Sequence, residues 1–137
     1  MLKESITYTD FNGLERTEEF RFNLTKTELT RMETRKSGSL SALLTKIVNA
    51  KDMPDILEAL EMLILKSYGE ISADGKRFDK SDKLSEDFSH TAAYDALFEK
   101  MVNDDEYAYK FILGIMPAEL AEQVKQKGDI KQLQISK

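Results

Sequence analysis

The sequence predicts an α+β fold, mostly α, in which an N-terminal β-hairpin is followed by about six helices in one compact domain. Three observations carry that expectation. Apolar and polar residues alternate through much of residues 6–24, as on a half-buried ribbon. Beyond residue 25, apolar residues recur at helical spacing instead. Most of those stripes open on a Ser, Thr or Asp suited to cap a helix. With 137 residues the chain is long enough for one core and too short for two ordinary domains. The expected division is a single domain over 1–127 and a flexible tail over 128–137. Within the domain, 1–24 is the hairpin, 25–68 helical, 69–81 a connecting loop and 82–127 helical.

In ITYTDFNGLERTEEFRFNL, Ile6 and Tyr8 alternate with threonines, and Phe20, Phe22 and Leu24 alternate with polar residues. DFNG offers the turn, because Asn12-Gly13 tolerates positive φ. A two-stranded hairpin is marginal alone, so its phenylalanine face must rest on helices or on another subunit. Thr25 and Glu28 form a capping box, with Leu24 and Leu29 placed for a hydrophobic staple. That helix ends near Lys36-Ser37-Gly38. Ser39 then caps a stripe of Leu40, Leu43, Leu44, Ile47 and Val48.

Asp52 caps the following helix, and Pro54 is tolerated in its first turn. Ile56, Leu57, Leu60, Leu63, Ile64 and Tyr68 share one face of it, which makes it the expected central helix. Gly69 stands where a C′ glycine ends a helix. After the loop, Leu84 and Phe88 mark a short helix, and Tyr94, Leu97, Phe98, Met101 and Val102 a longer one. Asp104 or Asp105 caps a third, carrying Tyr107, Ala108, Phe111, Ile112 and Ile115. Pro117 breaks it, and Leu120, Ala121 and Val124 mark a weaker last helix ending at Gly128.

The loop SYGEISADGKRF is the stretch most like a chemical site. Read as an EF-hand around Gly75, it puts Glu70 first, Ser72 third, Asp74 fifth and Ser81 twelfth. Serine at the twelfth position cannot supply the bidentate carboxylate, so calcium is not expected. A phosphate-binding loop would need more glycines and would follow a strand. Chain reversal suits the stretch better, with Asp74-Gly75 at the tip and Phe78 returning to the core in a small hairpin whose second arm is very short. His90 is the only histidine and precedes a helix, where a solvated or capping role is expected. One histidine and no cysteine do not make a usual zinc site. No motif organises a nucleophile, and the acids fall mostly on polar helix faces. Neither an enzyme nor a cofactor is expected.

The net charge of −5 argues against a nucleic-acid binder, and the cations of residues 25–38 are partly offset by Glu28 and Glu33. It suits a protein partner that carries positive charge. No apolar run approaches membrane-spanning length, and the first ten residues enter a strand pattern without a signal-peptide stretch. With no thiols, the chain fits a reducing compartment. Tyr94, Phe98, Tyr107, Tyr109 and Phe111 gather in the last third and are the candidate partner-binding residues. Phe98 and Phe111 also fall on core stripes, whereas Tyr109 lies off its helix's apolar face and suits an interface. Phe20 and Phe22 are the candidates for self-association or packing.

Three segments, FNGLERTEEFRFNLTKTEL, SYGEISADGKRFDKSDKLSEDFSHTAAYDALF and FILGIMP, resemble the tail assembly chaperones of long-tailed (siphovirus-like) phages and prophages of Gram-positive bacteria. The resemblance covers about residues 5 to 117 and rests on word order across the chain, especially SYG…DGKRF…KS and the closing F-x-x-G-I-x-P. It implies a non-enzymatic protein of the host cytoplasm, absent from the mature virion. Such a protein binds the tape measure protein and helps tail tube protein polymerise around it. It also implies a longer form made by frameshifting near the end of the reading frame, and it is compatible with a homo-oligomer. The alternative is a small structural tail or head–tail protein of the virion.

Overall fold

The alternating residues 2–22 pair as an antiparallel ribbon, β1 (Leu2–Thr9) with β2 (Glu15–Phe22), in register from Leu2 opposite Phe22 to Thr9 opposite Glu15. Strand alternation divides this ribbon into two faces. Leu2, Glu4, Ile6, Tyr8, Phe20 and Phe22 face inward, while Lys3, Ser5, Thr7, Thr9, Glu15, Thr17 and Glu19 face solvent. The computed structural model describes residues 1–35 and 53–122. The expected helix over Leu40–Val48, its cap Ser39, the cap Asp52 and the tail 128–137 lie outside those residues.

The remaining elements are α1 (Lys26–Arg35), α2 (Met53–Ser67), β3 (Tyr68–Ile71), β4 (Phe78–Asp79), α3 (Asp82–Ser89), α4 (Ala92–Asn103) and α5 (Asp105–Ile115). Residues 118–122, just past the break at Pro117, are again helical. Local chemistry starts these helices. At α1 the capping box closes both ways: Glu28 N–H donates to Thr25 Oγ1 at 3.1 Å, and Thr25 N–H to Glu28 Oε1 at 2.9 Å. Leu24 and Leu29 are both buried beside it. Ser81, Thr91 and Asp104 each accept a hydrogen bond from the backbone three residues on, at 3.0–3.1 Å, and so start α3, α4 and α5.

One expectation is overturned here. The sheet is not a two-stranded hairpin followed by helices alone. It has four antiparallel strands in the order β1-β2-β3-β4, and its last two come from the stretch expected as a connecting loop. Tyr68 pairs with Phe22 and Gly69 with Arg21, and Ile71 then pairs with Phe78 around the Asp74-Gly75 tip. Gly75 holds a φ of +76°, so the tip does need its glycine. The α+β class and the first hairpin stand, but the sheet is twice as wide as its first two strands suggest.

Gly69 is likewise not a helix cap. α2 runs into β3 without a loop, and two side-chain hydroxyls and one strand-end amide satisfy its last carbonyls. Ser85 Oγ donates to Leu65 O at 2.7 Å, Ser67 Oγ to Ile64 O at 3.1 Å, and Asn23 N–H to Ser67 O at 2.8 Å. A Cβ at residue 69 would stand 2.8 Å from the carbonyl oxygen of Asp79 and 2.8 Å from the Phe78 ring. The glycine is there for space, because β4 passes directly over it.

The core lies between the inner face of the sheet and the helices. Phe22, Leu63, Ile64, Ala93, Leu97, Phe111 and Ile115 are at most 1% exposed within it. Leu24 N–H donates to Ile115 O at 2.7 Å and so ties the end of α5 to the strand-to-helix corner. Lys80 ties the same corner from the other side. Its ammonium donates to Asn23 O and, at 2.8 Å, to both oxygens of Glu28. Burial alone would raise the Glu28 carboxyl, but the bonds from Lys80 and the Thr25 backbone hold it below its ordinary value.

Candidate protein-binding surface

The aromatic residues form a continuous run across the molecule rather than a separate patch. Tyr8, Phe20, Phe88, Tyr94 and Phe98 follow one another with ring centroids 5.3–6.4 Å apart. Phe88 also stacks flat on Tyr68 at 4.1 Å. From this run a branch enters the core through Phe22, whose ring meets Phe111 edge-on at 5.1 Å.

The structure therefore separates the candidate residues by depth. Phe22 and Phe111 are fully buried and pack the core. Phe20, Tyr94 and Phe98 are half-buried along the aromatic run, on β2 and α4. Tyr107 and Tyr109 are half-buried on α5, and Tyr107 lies against β1. Its hydroxyl donates to Glu4 Oε2 at 2.8 Å, and the Lys100 ammonium sits 4.2 Å from its ring centroid. His90 is exposed at the end of α3, where its backbone N–H donates to Asp87 O at 3.2 Å.

These tyrosines report on the fold. Burial first, and then the Glu4 carboxylate, push the Tyr107 phenol far above its ordinary value of 10.0. Burial and the neighbouring Glu61 push Tyr94 up to about 12. Both phenols are held protonated more strongly by the folded chain than by the unfolded one. Their contribution is complete below pH 10, where the unfolded phenol titrates, and is lost as pH rises from there towards the folded values. Thermal melts should therefore show Tm falling above pH 10, and Tyr107→Phe should flatten that fall. At neutral pH the same substitution strands Glu4 and should cost about 1–2 kcal/mol.

The most exposed apolar side chains lie elsewhere, at the tip joining β1 to β2. Phe11 is 84% exposed and Leu14 58%. The tip is nonetheless rigidly built. Asp10 Oδ1 accepts from Asn12 N–H and Leu14 N–H, both at 2.9 Å, while Asp10 Oδ2 holds Arg16 Nε at 2.6 Å. The Arg16 guanidinium and the Leu14 and Asn12 amides keep the Asp10 carboxyl below its ordinary value. Gly13, at φ +85°, completes the turn. Sequence reasoning finds the DFNG turn but passes over its side chains. The available signal is a phenylalanine and a leucine flanking Asn12-Gly13, where turns usually carry polar residues.

Among the described residues no group of three or more His, Cys, Asp or Glu could hold a metal ion, and no helix is long and apolar enough to cross a membrane. What the surface does offer is aromatic and aliphatic side chains held on rigid strands, helices and a braced turn. Side chains of these types are the ones protein interfaces favour. The family comparison identifies the kind: a family described as phage tail assembly chaperone matches residues 1–136, and the chain belongs to it. Membership implies protein partners in tail assembly and a structural rather than enzymatic role. No curated protein and no solved structure matches the chain.

Proposed function

We propose that this chaperone binds the tape measure protein of its phage and shields that protein's apolar surface while tail tube protein assembles around it. The observation that carries this reading is the family match over residues 1–136. The exposed apolar tip and the net charge of −5 support it, because a chaperone of this kind needs apolar contact with its client and solubility for the complex. The protein then acts in the host cytoplasm and leaves before the virion matures. The edge of β1, the first strand in the sheet order, is the proposed means of self-association.

Co-expression with the tape measure protein of the same genome tests the reading. The expected result is more soluble tape measure protein and a complex that co-purifies. Unchanged solubility with no complex would sink it. The protein should also be missing from purified particles by mass spectrometry, and its presence there would instead favour a structural tail component.

A further inference from the structure

We propose that the β1–β2 tip is the chaperone's client-contacting finger, with Phe11 and Leu14 as anchors for an apolar protein surface bordered by lysine or arginine. The inference deepens the function proposed above and rests on it. Three observations converge on the tip. Phe11 and Leu14 are the two most exposed large apolar side chains among the described residues, at 84% and 58%, and they lie three residues apart on one turn. A lone exposed apolar residue means little, but a braced pair is different.

The second observation is that bracing. Two backbone amides and one guanidinium converge on the Asp10 carboxylate, and Asp10 N–H donates back to Leu14 O at 2.8 Å. A loop already held in one shape loses little conformational entropy on docking, so the contact area of its side chains goes into affinity. These bonds also close the β1–β2 hairpin, while the side chains of residues 11–19 all stay exposed. The third is charge. At the tip Asp10 pairs with Arg16 at 2.6 Å and Glu15 stands beside Leu14 without a cation of its own at the turn, so the apolar pair has a net negative neighbourhood in a chain of net charge −5. That charge favours a partner surface rimmed by cations and disfavours a second acidic copy of this chain.

The chain has no tryptophan, which makes Phe11→Trp a unique reporter. Wild-type chain, the Phe11→Ala/Leu14→Ala double variant, Glu15→Lys and Phe11→Trp are each co-expressed with the tape measure protein. The three variants should keep the wild-type circular dichroism spectrum, because every altered side chain is exposed. The double variant should retain at least about tenfold less tape measure protein, the size of effect that truncating interface anchors produces. Glu15→Lys should retain less than wild type, and high salt should narrow that difference. After subtraction of the emission of the wild-type complex, the indole emission of the Phe11→Trp variant should shift to the blue in the complex relative to the free variant.

Equal retention by wild type and the double variant, with unshifted indole emission from Phe11→Trp, would overturn the finger while leaving the proposed function standing. A blue shift that appears with protein concentration alone would assign the tip to self-association and also overturn it. If wild type itself retains no tape measure protein, the proposed function fails and the finger falls with it.

Discussion

Phe22→Ala is expected to lower stability by about 3–5 kcal/mol, the usual cost of deleting a buried phenylalanine that its surroundings cannot refill. The ring is completely buried and meets three others, Tyr68 at 5.9 Å, Phe88 at 5.8 Å and Phe111 at 5.1 Å between centroids. Those three rings come from β3, α3 and α5, so the cavity would open where sheet and helices meet. Domains of this size are stable by only about 5–15 kcal/mol, and the loss should appear as a Tm lower by roughly 10 °C or more. Phe20→Ala is the internal comparison, since its ring is half-buried and should cost less. The pair also separates packing from association. If Phe22 served association, its removal would change the concentration dependence of sedimentation more than the melting temperature.

Gly69→Ala should be the next most damaging, at about 2–3 kcal/mol, by overpacking rather than by loss of contact. The new methyl would meet the Asp79 carbonyl oxygen at 2.8 Å and Phe78 ring carbons at 2.8 and 2.9 Å. Phe78 could swing away, but the carbonyl belongs to the backbone of β4. That backbone is anchored one residue later by Lys80 on Glu28 and Asn23. The other glycines calibrate the effect. At Gly114 an added methyl meets only the end of the Leu2 side chain, at 2.9 Å, and Leu2 can turn aside. At Gly75 nothing lies within 4 Å, so the cost there comes from the positive φ alone, about 1 kcal/mol. Chemical denaturation of the three alanine variants should rank Gly69 first. Equal costs at the three positions would remove the steric account.

Helix starts were legible because their chemistry is local. A Thr25 hydroxyl and a Glu28 carboxylate three residues apart satisfy each other's backbone whatever the rest of the chain does. The same chemistry acts at Ser81, Thr91 and Asp104, of which sequence reasoning names only Asp104, as an alternative to Asp105. β3 was not legible, for the opposite reason. Its four residues YGEI show no strong alternation, and its partner residues Arg21 and Phe22 lie far back in the chain. Gly69 looked like a cap because a glycine after an apolar helical stripe usually is one. Here Ser67, Ser85 and Asn23 had already taken the orphan carbonyls. The late aromatics were grouped by proximity in sequence, and that proximity did not predict depth. Tyr109 and Phe111 are two residues apart, one half-buried and the other in the centre of the core.

By itself the sequence determined the capping box that starts α1, the pair Asp104 and Asp105 at the start of α5, where the first hairpin turns, and a word order that leads to the phage tail assembly chaperones. Those features depend on neighbours within a few residues, or on patterns that need no geometry. Only the tertiary structure decided that the sheet has four strands, that Gly69 makes room for β4, and that Phe22 and Phe111 are interior while Phe11 stands in solvent. Each of these depends on contacts across the fold, and one aromatic ring differs from another only in what the rest of the chain brings against it.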